Sequence, residues 1–277
     1  MKRVYVCFPE GKFKALTLSY DDGKIMDRRL VDIFNRYKLK ATFHLNSDEF
    51  GCSDGHQYPY IDEKEVKQLY LDHEVACHTC SHPTMTRLSD TQNIHEVLEN
   101  RKALEAITSQ MVRGMSYPNG VYNQKIKDIM KICGVVYSRT TKDTFRFDIP
   151  QDFLEWHPTC HHNKDLLKLT QKFVETTYNQ RLMLFYVWGH SYEFERDMNW
   201  NLIEEFASQV SQKEDIWYAT NIDIYDYMKS SGELQYSADG MSIYNPSFQS
   251  IWLSVDNQIV EVQGGQTIWL KSLMNLL

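Results

Sequence analysis

The sequence predicts an α/β protein, with strands and helices alternating through most of the chain and a small all-β appendage at the end. Three observations carry this. About seven short apolar runs recur through residues 1–229, most followed by a stretch with helical apolar spacing. The run at 182–188, Leu-Met-Leu-Phe-Tyr-Val-Trp closed by Gly189, has the unbroken apolar character of a strand buried on both faces. From about Ser230 the helical stretches cease, and short strand-like runs follow one another across two-residue turns. A parallel β/α barrel and a doubly wound sheet both satisfy the alternation. The expected division is a main domain over 1–229 and an appendage over 230–277.

Each element has a local reason. Residues 15–20 alternate as a strand and run into Asp21-Asp22-Gly23, where the glycine permits a tight turn. Ile25, Leu30, Ile33, Phe34 and Tyr37 recur at helical spacing over 25–38. A strand at 41–45, a polar loop, a helix at 61–70 and a strand at 73–77 follow. The long helix at 91–110 is expected to bury Ile94, Val97, Leu98, Leu104 and Ile107. Then come a strand at 114–117 ending in Pro118-Asn119-Gly120, a helix at 125–133 and a strand at 135–138. A strand at 153–157, a helix at 165–178, the strand at 182–188, a helix at 200–210, a strand at 217–220 and a helix at 222–228 complete the main domain. In the appendage, strands are expected at 241–244, 250–255, 258–262 and 267–270, with Asp256-Asn257 and Gly264-Gly265 each read as a two-residue hairpin turn.

Composition excludes some roles. The 277 residues are 42% hydrophobic and carry a net charge of −7 with no long run of one sign, so no nucleic-acid partner is expected. No stretch of about 18 apolar residues could span a membrane. The first residues lack the basic-then-apolar pattern of an export signal. Six scattered cysteines make a poor disulfide framework for a chain of this length. A reducing cytoplasm is therefore the expected location, although a trimmed export signal also fits. Cys77 and Cys80 have metal-binding spacing but no second pair to complete a site.

The chemistry clusters at predicted strand ends, where α/β folds place their sites. Asp21 and Asp22 cannot point the same way on extended backbone, so one can hold a metal while the other handles a proton; the alternative is a surface Asp-Asp-Gly turn. His78-Thr79-Cys80-Ser81-His82-Pro83 follows the third strand, and two histidines four apart on one helical turn could reach one cation. His190 ends the strongest strand between Trp188 and Tyr192. His157, His161 and His162 form a further local cluster, read as a polar groove rim, a second metal site or a chance surface run.

Taken together, Tyr-Asp-Asp-Gly, His-Thr-Cys-Ser-His-Pro, Tyr-Pro-Asn-Gly and Trp-Gly-His-Ser-Tyr-Glu-Phe resemble the motif series of the NodB-type polysaccharide deacetylases, of carbohydrate esterase family 4. The resemblance spans about residues 13–228. It implies a distorted (β/α)7-type barrel and a hydrolase that removes N- or O-acetyl groups from a carbohydrate with one divalent metal. Zinc is the first choice, with cobalt, nickel, iron or manganese as alternatives. It further implies Asp21 as general base, Asp22, His78 and His82 as metal ligands, and His190 as general acid. Tyr117, Pro118 and Asn119 would line the groove, with the Asn119 N–H facing the oxyanion. Trp156 would shape the acyl pocket, and His157, Trp188 and Tyr192 would flank the substrate.

Two departures from the family pattern stand out. The third motif lacks its usual arginine; Ser116 lies near that place, and Arg113 or Arg139 are the candidates to replace it. The acid that normally supports the late histidine is not obvious, with Asp148 and Asp152 as candidates. Two rival functions follow: a same-fold amidohydrolase acting on a small non-sugar amide, and a carbohydrate-binding protein that keeps the metal site without turnover.

Overall fold

The computed structural model describes residues 3–55, 57–177 and 180–270. In chain order its first half comprises β1 (Val4–Cys7), β2 (Lys14–Asp22), α1 (Asp27–Arg36), β3 (Ala41–Leu45), α2 (Glu63–Leu69), β4 (Glu74–Cys77), α3 (Asp90–Thr108), β5 (Gly114–Ser116) and α4 (Gln124–Ile132). The second half of the main domain adds β6 (Tyr137–Arg139), β7 (Cys160–His161), α5 (Leu166–Glu175), β8 (Met183–His190), α6 (Ser191–Arg196), α7 (Trp200–Val210), β9 (Ile216–Tyr218) and α8 (Asn221–Ser231). The appendage holds β10 (Gln235–Tyr236), β11 (Ser242–Tyr244), β12 (Ile251–Val255), β13 (Gln258–Val262) and β14 (Thr267–Trp269).

The main sheet is parallel and runs β6-β5-β4-β3-β2-β8-β7, with β9 also on β2. It is the curled α/β sheet that the alternation predicts. A strand has two edges, and β8 takes one whole edge of β2. The other is therefore shared: β9 pairs with Lys14–Leu16 and β3 with Leu18–Asp22. Asn221 at the start of α8 fills the fork between them, accepting from Thr17 Oγ1 at 2.8 Å and donating its backbone N–H to Thr42 Oγ1 at 2.9 Å. This fork distorts the barrel. Alternation along β2 sends Leu16, Leu18 and Tyr20 into the core beneath the helices, while Ala15 joins the opposite cluster with Trp156, Leu184 and Tyr186.

Several expectations need correction. The stretch 153–157 is no strand: Phe153–Glu155 is a 3-10 turn, and only Trp156 bridges to Arg139 before β7 forms further on. Asp152 caps that turn by accepting from the Leu154 N–H, which favours the turn over an extended run. On α3, Leu98 faces solvent, and the buried face holds Asn93, Val97, Asn100 and Leu104. The two asparagines are buried because each amide has backbone partners, Met85 O for Asn93 and Leu45 O for Asn100.

The appendage forms two three-stranded antiparallel sheets, β1-β12-β13 and β10-β11-β14. Its first sheet recruits β1, with Val4 opposite Val255, so a strand from the N-terminus belongs with the appendage. Residues Val4–Cys7 carry too little local pattern to announce this. Asp256 and Asn257 both take positive φ, as a tight hairpin between β12 and β13 requires. Gly264-Gly265 is not a hairpin, because β13 and β14 lie in different sheets. All six cysteines are unpaired, and no helix among the described residues is long and apolar enough to cross a membrane.

Candidate metal centre and catalytic groups

Asp21 and Asp22 close β2 side by side but face different partners. Asp22 has φ +78°, a left-handed conformation that aspartate tolerates better than most residues and that swings its carboxylate away from that of Asp21. Its Oδ1 lies 3.6 Å from His78 Nε2 and 3.9 Å from His82 Nε2. The three ligand atoms all lie within 4.8 Å of one another.

The two histidines do not share a helical turn. They sit on an irregular loop after β4 in which Thr79 and His82 have φ of +66° and +54°. Helix α3 holds this loop: the Glu96 carboxylate accepts from Ser81 N at 3.0 Å and from Ser81 Oγ at 2.8 Å. Asn100 Oδ1 accepts the His78 N–H at 3.1 Å, and Thr79 Oγ1 accepts that of His82 at 3.1 Å.

His78 Nδ1 is 2.9 Å from the Ser116 carbonyl. A carbonyl can only accept, so the ring proton sits on Nδ1 and the Nε2 lone pair is left for Asp22's side. Burial pushes the His78 pKa down to about 4, which keeps the imidazole in its neutral, ligating form. One carboxylate and two neutral imidazoles suit a divalent cation of borderline softness, and partial exposure of Asp22 and His82 leaves coordination positions open to water.

Asp21 is buried and pairs with Arg139, which is wholly buried and touches its Oδ2. Ser116 Oγ donates to the other oxygen at 3.1 Å. Burial alone would raise the Asp21 pKa, but the charge of Arg139 holds it well below the usual carboxylate range. Arg139 is itself fixed from several sides. Its Nε donates to Ser19 Oγ at 3.1 Å, and its guanidinium lies 4.4 Å over the Trp188 ring. Trp188 Nε1 donates to Asp143 Oδ1 at 2.8 Å. Of the two arginines left open by the sequence, Arg139 reaches Asp21, while Arg113 pairs with Asp226.

His190 stands opposite Asp21 in the β2–β8 register. Its carboxylate partner is Glu193, with Oε2 3.4 Å from His190 Nδ1; Asp148 pairs with Arg146 and Asp152 with Lys127. Burial opposes protonation of His190, but the Glu193 contact and the charges of Asp22 and Asp21 outweigh it and raise its pKa. Glu193 escaped the sequence reading, although its position three residues after His190 is the spacing of a helix capping box, and the His190 N–H donates to its Oε2 at 3.2 Å.

The remaining expected groove residues divide. Trp188 and Tyr192 flank His190, with ring centroids 5.9 and 5.2 Å from its own. Trp156 is 1% exposed, packed on Tyr137, Phe153 and Tyr186, so it lines no open groove. Tyr117 turns inward, stacks on Tyr122 and donates its hydroxyl to Leu154 O, and Pro118 is buried too. Asn119 is exposed at φ +58°. His157 bonds Thr140 and lines a cleft of about 760 Å³ with Arg146, Asp148, Asp152 and Glu155, apart from the donor set.

Residues 9–138 match the model of the family described as polysaccharide deacetylase. Over that segment, just under half of its length, the chain is similar to this family. It is 26% identical over 121 residues to the peptidoglycan-N-acetylmuramic acid deacetylase PdaC of Bacillus subtilis, covering 43% of this chain and 24% of that protein. It is 25% identical over 132 residues to the peptidoglycan-N-acetylglucosamine deacetylase PgdA of Listeria monocytogenes, covering 47% and 27%. The aligned segments thus span about a quarter of these relatives. In fold, the chain is similar to a solved Mycobacterium smegmatis structure titled as a polysaccharide deacetylase, with TM-score 0.58 at 15% identity over 82% of this chain and 94% of that one.

Proposed function

We propose that this protein is a metal-dependent hydrolase that removes N- or O-acetyl groups from a carbohydrate. The observation that carries the reading is that a three-donor set, an ionised carboxylate clamped by Arg139, and a histidine with a raised pKa all lie at one end of β2, β4 and β8. Asp22, His78 and His82 would hold the cation, which when bound supplies Lewis-acid polarisation of the acetyl carbonyl and a more acidic water.

The chain's own groups divide the proton work. Asp21 takes the proton of the attacking water; its strong pairing makes it a weak base, suited only to a water already acidified. His190 delivers a proton to the departing amine or alkoxide. Its Nδ1 faces Glu193, so the transferable proton sits on Nε2. Around the 118–120 turn, the Tyr117 N–H is spent on Arg139 O and that of Gly120 on Tyr117 O, and proline has none. The Asn119 N–H is therefore the donor that turn could offer to the developing oxyanion. An acetylated amino sugar is the favoured substrate class, in keeping with the names of the relatives.

Acetate release from N-acetylated chitooligosaccharides and peptidoglycan fragments tests the reading. Asp22→Ala is expected to lose the cation held with His78 and His82 together with turnover, and Asp21→Asn to keep that cation and lose turnover. Full activity in Asp21→Asn, or no acetate from any acetylated glycan by metal-loaded protein, overturns it.

A further inference from the structure

Behind His190 lies a second convergence of donors that the acid role alone does not explain. Glu193 Oε2 is 2.9 Å from His161 Nε2, 3.4 Å from His162 Nε2 and 3.4 Å from His190 Nδ1, and it also accepts the His190 backbone N–H at 3.2 Å. One carboxylate oxygen has too few lone-pair directions for four donors. The consequence is visible: of the ring nitrogens that face this oxygen, His190 Nδ1 and Nε2 of the fully buried His162 find no hydrogen-bond partner. An unpaired buried polar atom is costly, and a cation between His190 Nδ1 and the carboxylate relieves that cost for His190.

We propose that His161, His190 and Glu193 form a second divalent-cation site, distinct from that of Asp22, His78 and His82, whose occupation switches off the proton donor. The three ligand atoms lie within 4.8 Å of one another, and two imidazoles with one carboxylate are a zinc-type donor set. Arg196 is the opposing charge nearby, and it sits 3.6 Å from the other oxygen, Oε1. A cation on His190 Nδ1 takes the place of the proton that makes this ring an imidazolium, so the ring can no longer deliver a proton from Nε2. The inhibition rests on the deacetylase reading; the binding does not.

Zinc added to the 277-residue protein, counted by calorimetry and by metal analysis after desalting, tests this. Wild type is expected to bind two equivalents, Asp22→Ala one and His161→Ala one, with His161→Gln as a second variant should the alanine form fail to fold. The second equivalent is expected to lower wild-type kcat by about a hundredfold, the lower end of what a general acid contributes, and to leave His161→Ala turnover unmoved. Two equivalents retained by both His161 variants, or a single wild-type equivalent that they keep, overturns the site. A single equivalent lost in the His161 variants and kept by Asp22→Ala upholds this site and removes the metal from the proposed function. Two equivalents with undiminished kcat overturns the switch.

Discussion

Arg139 and Asp21 meet at the floor of the site from 118 residues apart, neither side chain more than 3% exposed. The pair is a buried charge couple, so removing one partner strands the other. Arg139→Met is expected to cost about 3 kcal/mol of stability in denaturant melts and most of the turnover. The double variant Asp21→Asn, Arg139→Met is expected to recover much of that stability while staying inactive, since no lone charge remains buried. A double variant as unstable as Arg139→Met would show that the arginine acts through packing rather than charge.

Ser116 touches both halves of the site, its Oγ 2.7 Å from His78 Nδ1 and 3.1 Å from Asp21 Oδ1. Ser116→Ala keeps the backbone carbonyl that orients His78 but loses the hydroxyl. Metal affinity, read by competition with a chelator, is expected to fall about tenfold. An unchanged affinity would leave the carbonyl as the sole determinant of ring orientation.

Asp27 supplies a pH signature in stability. It is fully buried and accepts from Tyr70 Oη at 2.6 Å, while its Oδ1 has no partner, and burial raises its pKa to about 7. The folded state therefore holds a proton that the unfolded chain, with an ordinary aspartate, has already released. This contribution is complete below about pH 4 and disappears as pH rises through about 7. Thermal melts are expected to show this contribution fading between about pH 4 and 7 in wild type, with Asp27→Asn flatter across the same window.

Gly189 is required by its neighbour. A Cβ there would stand 2.0 Å from His162 Nδ1, and the ring has nowhere to go because it stacks on Phe194 and Tyr20. Gly189→Ala is expected to destabilise by about 2 kcal/mol, as overpacking does. A neutral melt would mean that His162 can move.

Much of this molecule is readable from local pattern. The apolar runs of β2, β3 and β8 and the spacing within α1, α4 and α7 are properties of neighbouring residues, so periodicity alone finds them. Asp22, His78 and His82 could be singled out from their places after strands and from the motif resemblance, although the helical turn that the histidine spacing suggests does not form. Leu98 misled because helical spacing cannot know that Asn93 and Asn100 would find backbone partners, and residues 153–157 misled because a capped 3-10 turn outcompeted a short apolar run.

By itself the sequence determined the alternating strands and helices, the adjacent carboxylates at the end of the first sheet strand and the histidines after later ones. Only the tertiary structure decided that Arg139 rather than Arg113 meets Asp21, that Glu193 rather than Asp148 or Asp152 faces His190, and that Val4–Cys7 pairs with β12. The physical reason is common to all three. Charge pairing and strand pairing depend on distance in space, which the order of strands in the sheet fixes and which no single stretch of chain contains.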